Sequence, residues 1–171
     1  MILGRAILLS LTTFLSLGAI HAQDTKKDIG KDQIGKIKTT VYFGTDSSTE
    51  NLEKHTTPVP EAELKKLRGI QKMSFKNYRT LGHDTRSVLR SYENWTSPLK
   101  PSEEIMLSFE SRGRNDTGGL KLDLELWQDK RKVMKSDPLL YKGRPLLILG
   151  PKWRSGRLII AVELIELPNN S

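Results

Sequence analysis

Residues 120–126 read LKLDLEL, with a leucine at every second position and a charged side chain between each pair. Side chains of a β-strand alternate between the two faces of its sheet, so this period of two predicts a half-buried strand. The four leucines would face a core, and the three charged side chains would face solvent. We take this stretch as the strand that decides the fold.

Segments on both sides of it carry the same kind of signal. Strands are predicted around Val133 and at residues 37–43, 73–81, 85–92, 105–109, 139–141, 146–149 and 158–164. The continuous apolar run 146–149 would be buried on both faces. Turn residues separate these segments at 115–119, 142–143, 150–151 and 155–156.

A single helix is predicted near residues 60–69. Pro60 suits the first turn, Glu61 and Glu63 suit the positive end of the helix dipole, and Gly69 is a natural stop. Many short strands with one helix predict a mostly β (α+β) fold, an antiparallel β-sandwich-like domain. We expect one β-rich domain over 36–167, a flexible linker over 23–35 and a tail over 168–171.

The first 22 residues have the pattern of a secretory signal peptide. Arg5 supplies the positive charge, and an apolar run from Ala6 to Leu17 leads to a cleavage region ending at Ala22. The alternative is an uncleaved membrane anchor, but the run is shorter than the ~20 residues that a spanning helix needs. We therefore expect export to the periplasm or the medium. The chain has no Cys, which excludes disulfides and suits a bacterial envelope.

Charge is the most informative feature for function. The chain carries a net charge of +8. Residues 128–157 hold nine basic side chains against two acidic ones, so they carry almost the whole excess. Nine residues of this segment form the predicted binding site: Lys130, Arg131, Lys132, Lys142, Arg144, Lys152, Trp153, Arg154 and Arg157. Cations beside an aromatic ring suit an anionic polymer, such as a polysaccharide, a nucleic acid or an acidic lipid surface. The alternative is a solvated basic face that only blocks strand-edge aggregation.

Two motifs invite a catalytic interpretation. His83 and Asp84 could act as a base and its orienting group in a hydrolase, but no nucleophile motif accompanies them. Asp116-Thr117-Gly118 matches an aspartic-protease triplet, which needs a second carboxylate and here sits in a polar turn. We expect no catalytic residue, metal ligand or cofactor.

A third cluster, around Trp95, contains Tyr92, Asn94 and Pro98. Such aromatic and polar clusters cradle sugars or peptides in some binding modules. More often a tryptophan caps the end of a sandwich core, and we expect Trp95 to do so.

Residues 145–162, PLLILGPKWRSGRLIIAV, resemble the C-terminal segment of a family of uncharacterised exported bacterial proteins. FKNYRTLG at 75–82 is similar to the middle of these proteins, and the likeness extends over residues 37–165. The resemblance implies export and a compact β-rich domain, and it brings no activity, cofactor or catalytic residue. We therefore expect a secreted or periplasmic, non-enzymatic binding or structural protein of the cell envelope.

Overall fold

The structure, a computed structural model, describes residues 27–96 and 105–168, and the predicted leader, residues 1–22, lies outside them. The described residues form nine β-strands and one α-helix. The helix is α1 (Glu61–Arg68). The strands are β1 (Gln33–Thr45), β2 (Asn77–Leu89), β3 (Asn94–Thr96), β4 (Ile105–Arg114), β5 (Leu120–Gln128), β6 (Arg131–Ser136), β7 (Leu139–Leu140), β8 (Leu146–Trp153) and β9 (Gly156–Glu166).

These strands pair antiparallel in two sheets. Sheet A has the order β2-β1-β9-β8, and sheet B has the order β3-β4-β5-β6, with β7 paired to the start of β5. The inner faces of the two sheets enclose the main core. The fold is therefore the predicted antiparallel sandwich, and the alternating strand lies in the middle of sheet B.

The leucines of β5 all face the core, as their spacing predicts. Leu120, Leu122 and Leu124 are fully buried and Leu126 is 3% exposed. They share this core with Phe43 of β1 and other inner-face side chains of sheet A, and with Leu107 and Phe109 of β4 in their own sheet. Burying such a side chain stabilises the fold by roughly 1.5–3 kcal/mol.

Helix α1 forms a third layer on the outer face of sheet A. Leu67, which is 1% exposed, packs in a second cluster with Tyr42 of β1 and with Ile159 and Ala161 of β9. The helix begins after Pro60 and ends at Gly69, close to the predicted limits. A narrow apolar stripe on a short helix is enough to hold it against the sheet.

Different contacts mark the two ends of the sandwich. At one end Phe43 of β1 contacts Trp153 of β8, next to the β8–β9 turn, within sheet A. At the opposite end the Arg114 guanidinium of β4 donates hydrogen bonds to the carbonyl oxygens of Ile34, at 2.6 Å, and Pro168, at 2.9 Å. Arg114 therefore links sheet B to strand β1 and to the segment that follows strand β9.

Three predicted boundaries are corrected. Residues 77–81 and 85–89 of the two predicted segments lie in one strand, β2, because residues 82–84 between them pair with Val41, Thr40 and Thr39 of β1. Gly150 and Pro151 lie inside β8, at a bulge on an edge strand, where proline needs no ladder partner for its nitrogen. Strand β1 begins at Gln33, so it includes the end of the predicted linker.

Candidate functional site

The structure separates the nine predicted binding residues into two groups. Seven lie at one end of the sandwich, here called the basic end: Lys130, Arg131, Lys132, Lys152, Trp153, Arg154 and Arg157. Lys142 and Arg144 precede β8 and lie at the opposite end, where Lys142 bridges to Leu164. Strand β8 between the two groups spans roughly 23 Å at about 3.3 Å per residue, so one small ligand cannot contact both.

Two hairpin turns form the basic end. Gln128 pairs with Arg131 around the β5–β6 turn, and Trp153 pairs with Gly156 around the β8–β9 turn. A shallow depression of about 330 Å³ lies between the hairpins, and its lining includes Gln128 from sheet B and Pro151 from sheet A. The rest of the lining is Leu126, Val133, Met134, Leu149 and Gly150, so the cations of the two hairpins are sequence neighbours of the lining residues and do not themselves line the depression.

Both turns hold residues in an unfavourable backbone conformation. Asp129, Lys130 and Arg154 have φ of 50°, 61° and 50°, and they are the non-glycine residues with positive φ in the described part of the chain. A side chain in this region costs roughly 1–2 kcal/mol, which glycine would avoid. Strain of this kind is concentrated where a side chain is needed for function.

The cations of the basic end differ in their partners. Lys132 bonds to Glu125 at 2.7 Å and lies over the Trp127 ring, and this hydrogen bond lowers the pKa of Glu125. Of the cations at the basic end, four exposed ones make no ion pair with any residue of 27–96 or 105–168: Lys130, Arg131, Lys152 and Arg154. These four charges are therefore free to meet an anionic ligand.

Trp153 is placed differently from the free stacking surface that the sequence suggests. Its ring packs edge-on against Phe43, with centroids 5.0 Å apart, and the Arg154 guanidinium lies 4.5 Å from its centroid. It is half-buried against the main core. The structure thus gives Trp153 a supporting role, in which it holds the turn and positions Arg154.

The expectation that Trp95 caps the core is wrong. Trp95 is 37% exposed, and it pairs with Ser108, whose neighbours Leu107 and Phe109 point inward. Its ring therefore lies on the outer face of sheet B, 5.8 Å from the Trp127 centroid. The alternation along β4 determines which face of sheet B carries Trp95. The sequence alone did not predict that the short strand β3 pairs with β4.

His83 and Asp84 do not form a dyad. They are consecutive residues of β2, so their side chains point to opposite faces of sheet A. The Asp84 carboxylate accepts hydrogen bonds from the Arg86 guanidinium and the Thr85 amide, both at 2.8 Å. Asp116 is exposed in the turn before β5, as its context predicts.

A cavity of about 250 Å³ lies between α1 and the outer face of sheet A, and sequence reasoning missed it. Charged side chains from three elements line it: Lys38 of β1, Glu163 of β9, and Glu63 and Lys66 of α1. Burial first, and then the charges of Glu63 and Glu163, raise the pKa of Tyr42 in its wall. The signal in the sequence was the alternation of polar residues along β1. It indicates that one face of the strand lies outside the main core, but it does not indicate which element covers that face.

Two other kinds of site were sought among the residues that the structure describes. In that part of the chain, no three His, Asp or Glu side chains are grouped so that they could hold a metal ion. Nor does it contain a helix long and apolar enough to cross a membrane.

Comparison with protein-family models, with curated proteins and with solved structures finds no match to this chain.

Proposed function

We propose that this chain is an exported, non-enzymatic binding protein of the bacterial envelope that holds an anionic polysaccharide at its basic end. The observation that carries the proposal is the convergence of two basic turns on one depression. Four cations without ion pairs among the described residues lie on the two hairpins that meet there. Their charge would attract a polyanion and release its counterions on binding.

The strained backbone of the turns supports the same interpretation. Glycine would suit positions 130 and 154 better, yet lysine and arginine occupy them. A basic face that served only solubility could place these charges on unstrained strand positions. Charge at the turns therefore favours a ligand over a merely solvated surface.

The state of Trp153 favours a polysaccharide over single-stranded nucleic acid. Nucleic-acid sites of this kind combine cations with aromatic rings on which bases stack. At the basic end the ring of Trp153 contacts Phe43 and is covered by Arg154. Carboxylate or sulfate groups along a glycan need only the cations.

Titration of heparin, as a model anionic glycan, at about 50 and about 200 mM salt tests the proposal, with single-stranded DNA and anionic vesicles as comparison ligands. Heparin should bind most tightly, and its affinity should fall with salt. Replacing Lys152 and Arg154 together by Ala should weaken binding at least about fivefold and make the salt dependence shallower.

A matched control removes two cations from the opposite end, with Lys142→Ala and Arg144→Ala. This variant has the same net charge but should bind heparin like the wild type. If both double variants lost heparin affinity equally, the loss would follow from the lower net charge alone, and the assignment of the site to the basic end would be wrong. Tighter binding of DNA or vesicles than of heparin would overturn the choice of ligand.

Export is tested separately. The leader pattern predicts that the protein from its native host begins near Gln23 and is found outside the cytoplasm. Mass spectrometry of the intact protein from each cell fraction measures both. A chain that retains Met1 in the cytoplasm would contradict export without affecting the binding site.

A further inference from the structure

The cavity beneath α1 has a charge arrangement that the protein itself leaves incomplete. Lys38 lies directly opposite Glu163 in the β1–β9 register. The nearest charged pair on the same ladder, Lys36 and Glu166, forms an ion pair at 2.9 Å. Across residues 27–96 and 105–168, neither Lys38 nor Glu163 makes an ion pair, although both line the cavity.

The helix adds a second set of opposite charges. Glu63 and Lys66 are three residues apart, which places them on the same side of α1, and both line the cavity. Neither makes an ion pair with a described residue. The cavity therefore has one cation and one anion on its floor and one of each on its wall, so these four side chains sum to no net charge.

Between the charges the lining is mixed. Leu67 of the helix, Leu147 of β8 and Ala161 of β9 supply aliphatic surface, with Pro58 and Pro60. Polar groups come from Thr40, Thr57, Thr80 and His83. A volume of about 250 Å³ is equivalent to about eight water molecules at ~30 Å³ each. A free amino acid with a small apolar side chain, such as valine, fits within this volume.

From this geometry we infer that the cavity binds a free α-amino acid with a small apolar side chain. The ammonium group pairs with Glu163 or Glu63, the carboxylate pairs with Lys38 or Lys66, and the side chain packs on the aliphatic floor. A ligand that bears both charges gives the cavity's carboxylates a cation and its ammonium groups an anion, whereas an anion or a cation alone leaves the side chains of one sign without a partner. This site lies on the outer face of sheet A and does not depend on the basic end.

Isothermal titration calorimetry with three probes of similar size tests the inference. L-Valine has both charges, isovalerate lacks the ammonium group, and isobutylamine lacks the carboxylate. L-Valine should bind saturably with one site per chain, and each analogue should bind at least about tenfold weaker. Equal affinity of all three, or no saturable binding of L-valine, would overturn the inference.

Variants then locate the site. Lys38→Gln and Glu163→Gln should each weaken L-valine binding at least about tenfold. Lys36→Gln with Glu166→Gln is the matched control, because it removes the neighbouring charges on the same two strands outside the cavity. Circular dichroism melting shows whether each variant folds. Unchanged affinity in folded Lys38→Gln and Glu163→Gln variants, or an equal loss in the control, would overturn the site.

Discussion

The indole of Trp153 meets the phenyl ring of Phe43 edge-on, with centroids 5.0 Å apart and ring planes at 87°. Phe43 is 1% exposed and belongs to the main core. Edge-to-face pairs of this kind stabilise by about 0.5–1.5 kcal/mol beyond the burial of their area. This contact fixes the β8–β9 turn, which contains Arg154, against the main core.

This contact predicts that Trp153→Ala lowers the stability of the fold. Removing the ring from a half-buried site should reduce the free energy of unfolding by about 2–4 kcal/mol. Trp95→Ala is the comparison, since Trp95 lies on the outer face of sheet B, and its loss should cost below about 1.5 kcal/mol. Urea unfolding of both variants measures the difference. A larger cost at Trp95 would contradict the placement of the two rings.

Strain at the β5–β6 turn predicts opposite effects on stability and binding. Lys130 has a φ of 61°, so Lys130→Gly should raise the free energy of unfolding by about 0.5–1 kcal/mol. The same change removes a cation from the basic end and should weaken heparin binding. Lys121→Gly, near the start of strand β5, should instead destabilise. Urea unfolding and heparin titration show whether stability and affinity move apart at position 130.

The turn before β5 predicts which of two neighbouring residues matters. The Asn115 side chain accepts a hydrogen bond from the Gly119 amide at 2.5 Å and donates to Thr117 at 2.8 Å and Tyr141 at 3.0 Å. Asn115→Ala should therefore cost about 1–2 kcal/mol. Asp116→Asn should change stability by less than about 0.5 kcal/mol and abolish no peptidase activity. A peptidase assay that loses signal on this substitution would show that the triplet is a real site.

The pair of Arg112 and Asp123 on the outer face of sheet B predicts a loss of stability in acid. The Arg112 guanidinium donates to the Asp123 carboxylate, with Nε 2.8 Å from Oδ2, and this bond is the main cause of the lowered pKa of Asp123. Because the pKa of Asp123 is lower in the folded than in the unfolded state, its carboxylate stabilises the fold at pH values above the unfolded pKa of about 3.9. This stabilisation is lost as the pH falls through the folded pKa.

Arg112→Met should raise the pKa of Asp123 and remove this contribution. Lys135→Met is the control, because Lys135 is 3.9 Å from the same carboxylate and should shift it less. Carboxyl titration by NMR gives the pKa, and urea unfolding at about pH 7 and about pH 3 gives the stability. The stability difference between wild type and Arg112→Met should shrink in acid. A difference that stays constant with pH would contradict the assignment.

Local pattern determined much of the fold. The leucines at 120–126 predicted a strand with one buried face because a period of two separates the faces whatever the neighbouring strand is. Pro60 and Gly69 set the ends of the helix, and 115–119 predicted a turn, because these residues act on their own backbone. The two-strand prediction over 73–92 failed because the pairing of residues 82–84 with β1, which makes the strand continuous, is not visible in that strand's own sequence.

The sites depended on tertiary structure. The charge excess of residues 128–157 is visible in the sequence, but strand pairing sends Lys142 and Arg144 to one end and brings the turns at 129–130 and 154–155 together at the other. The cavity joins Lys38, Glu63 and Glu163 from three separate segments. The alternation of a strand tells which side chains share a face, whereas the order and register of the strands decide which faces and charges meet.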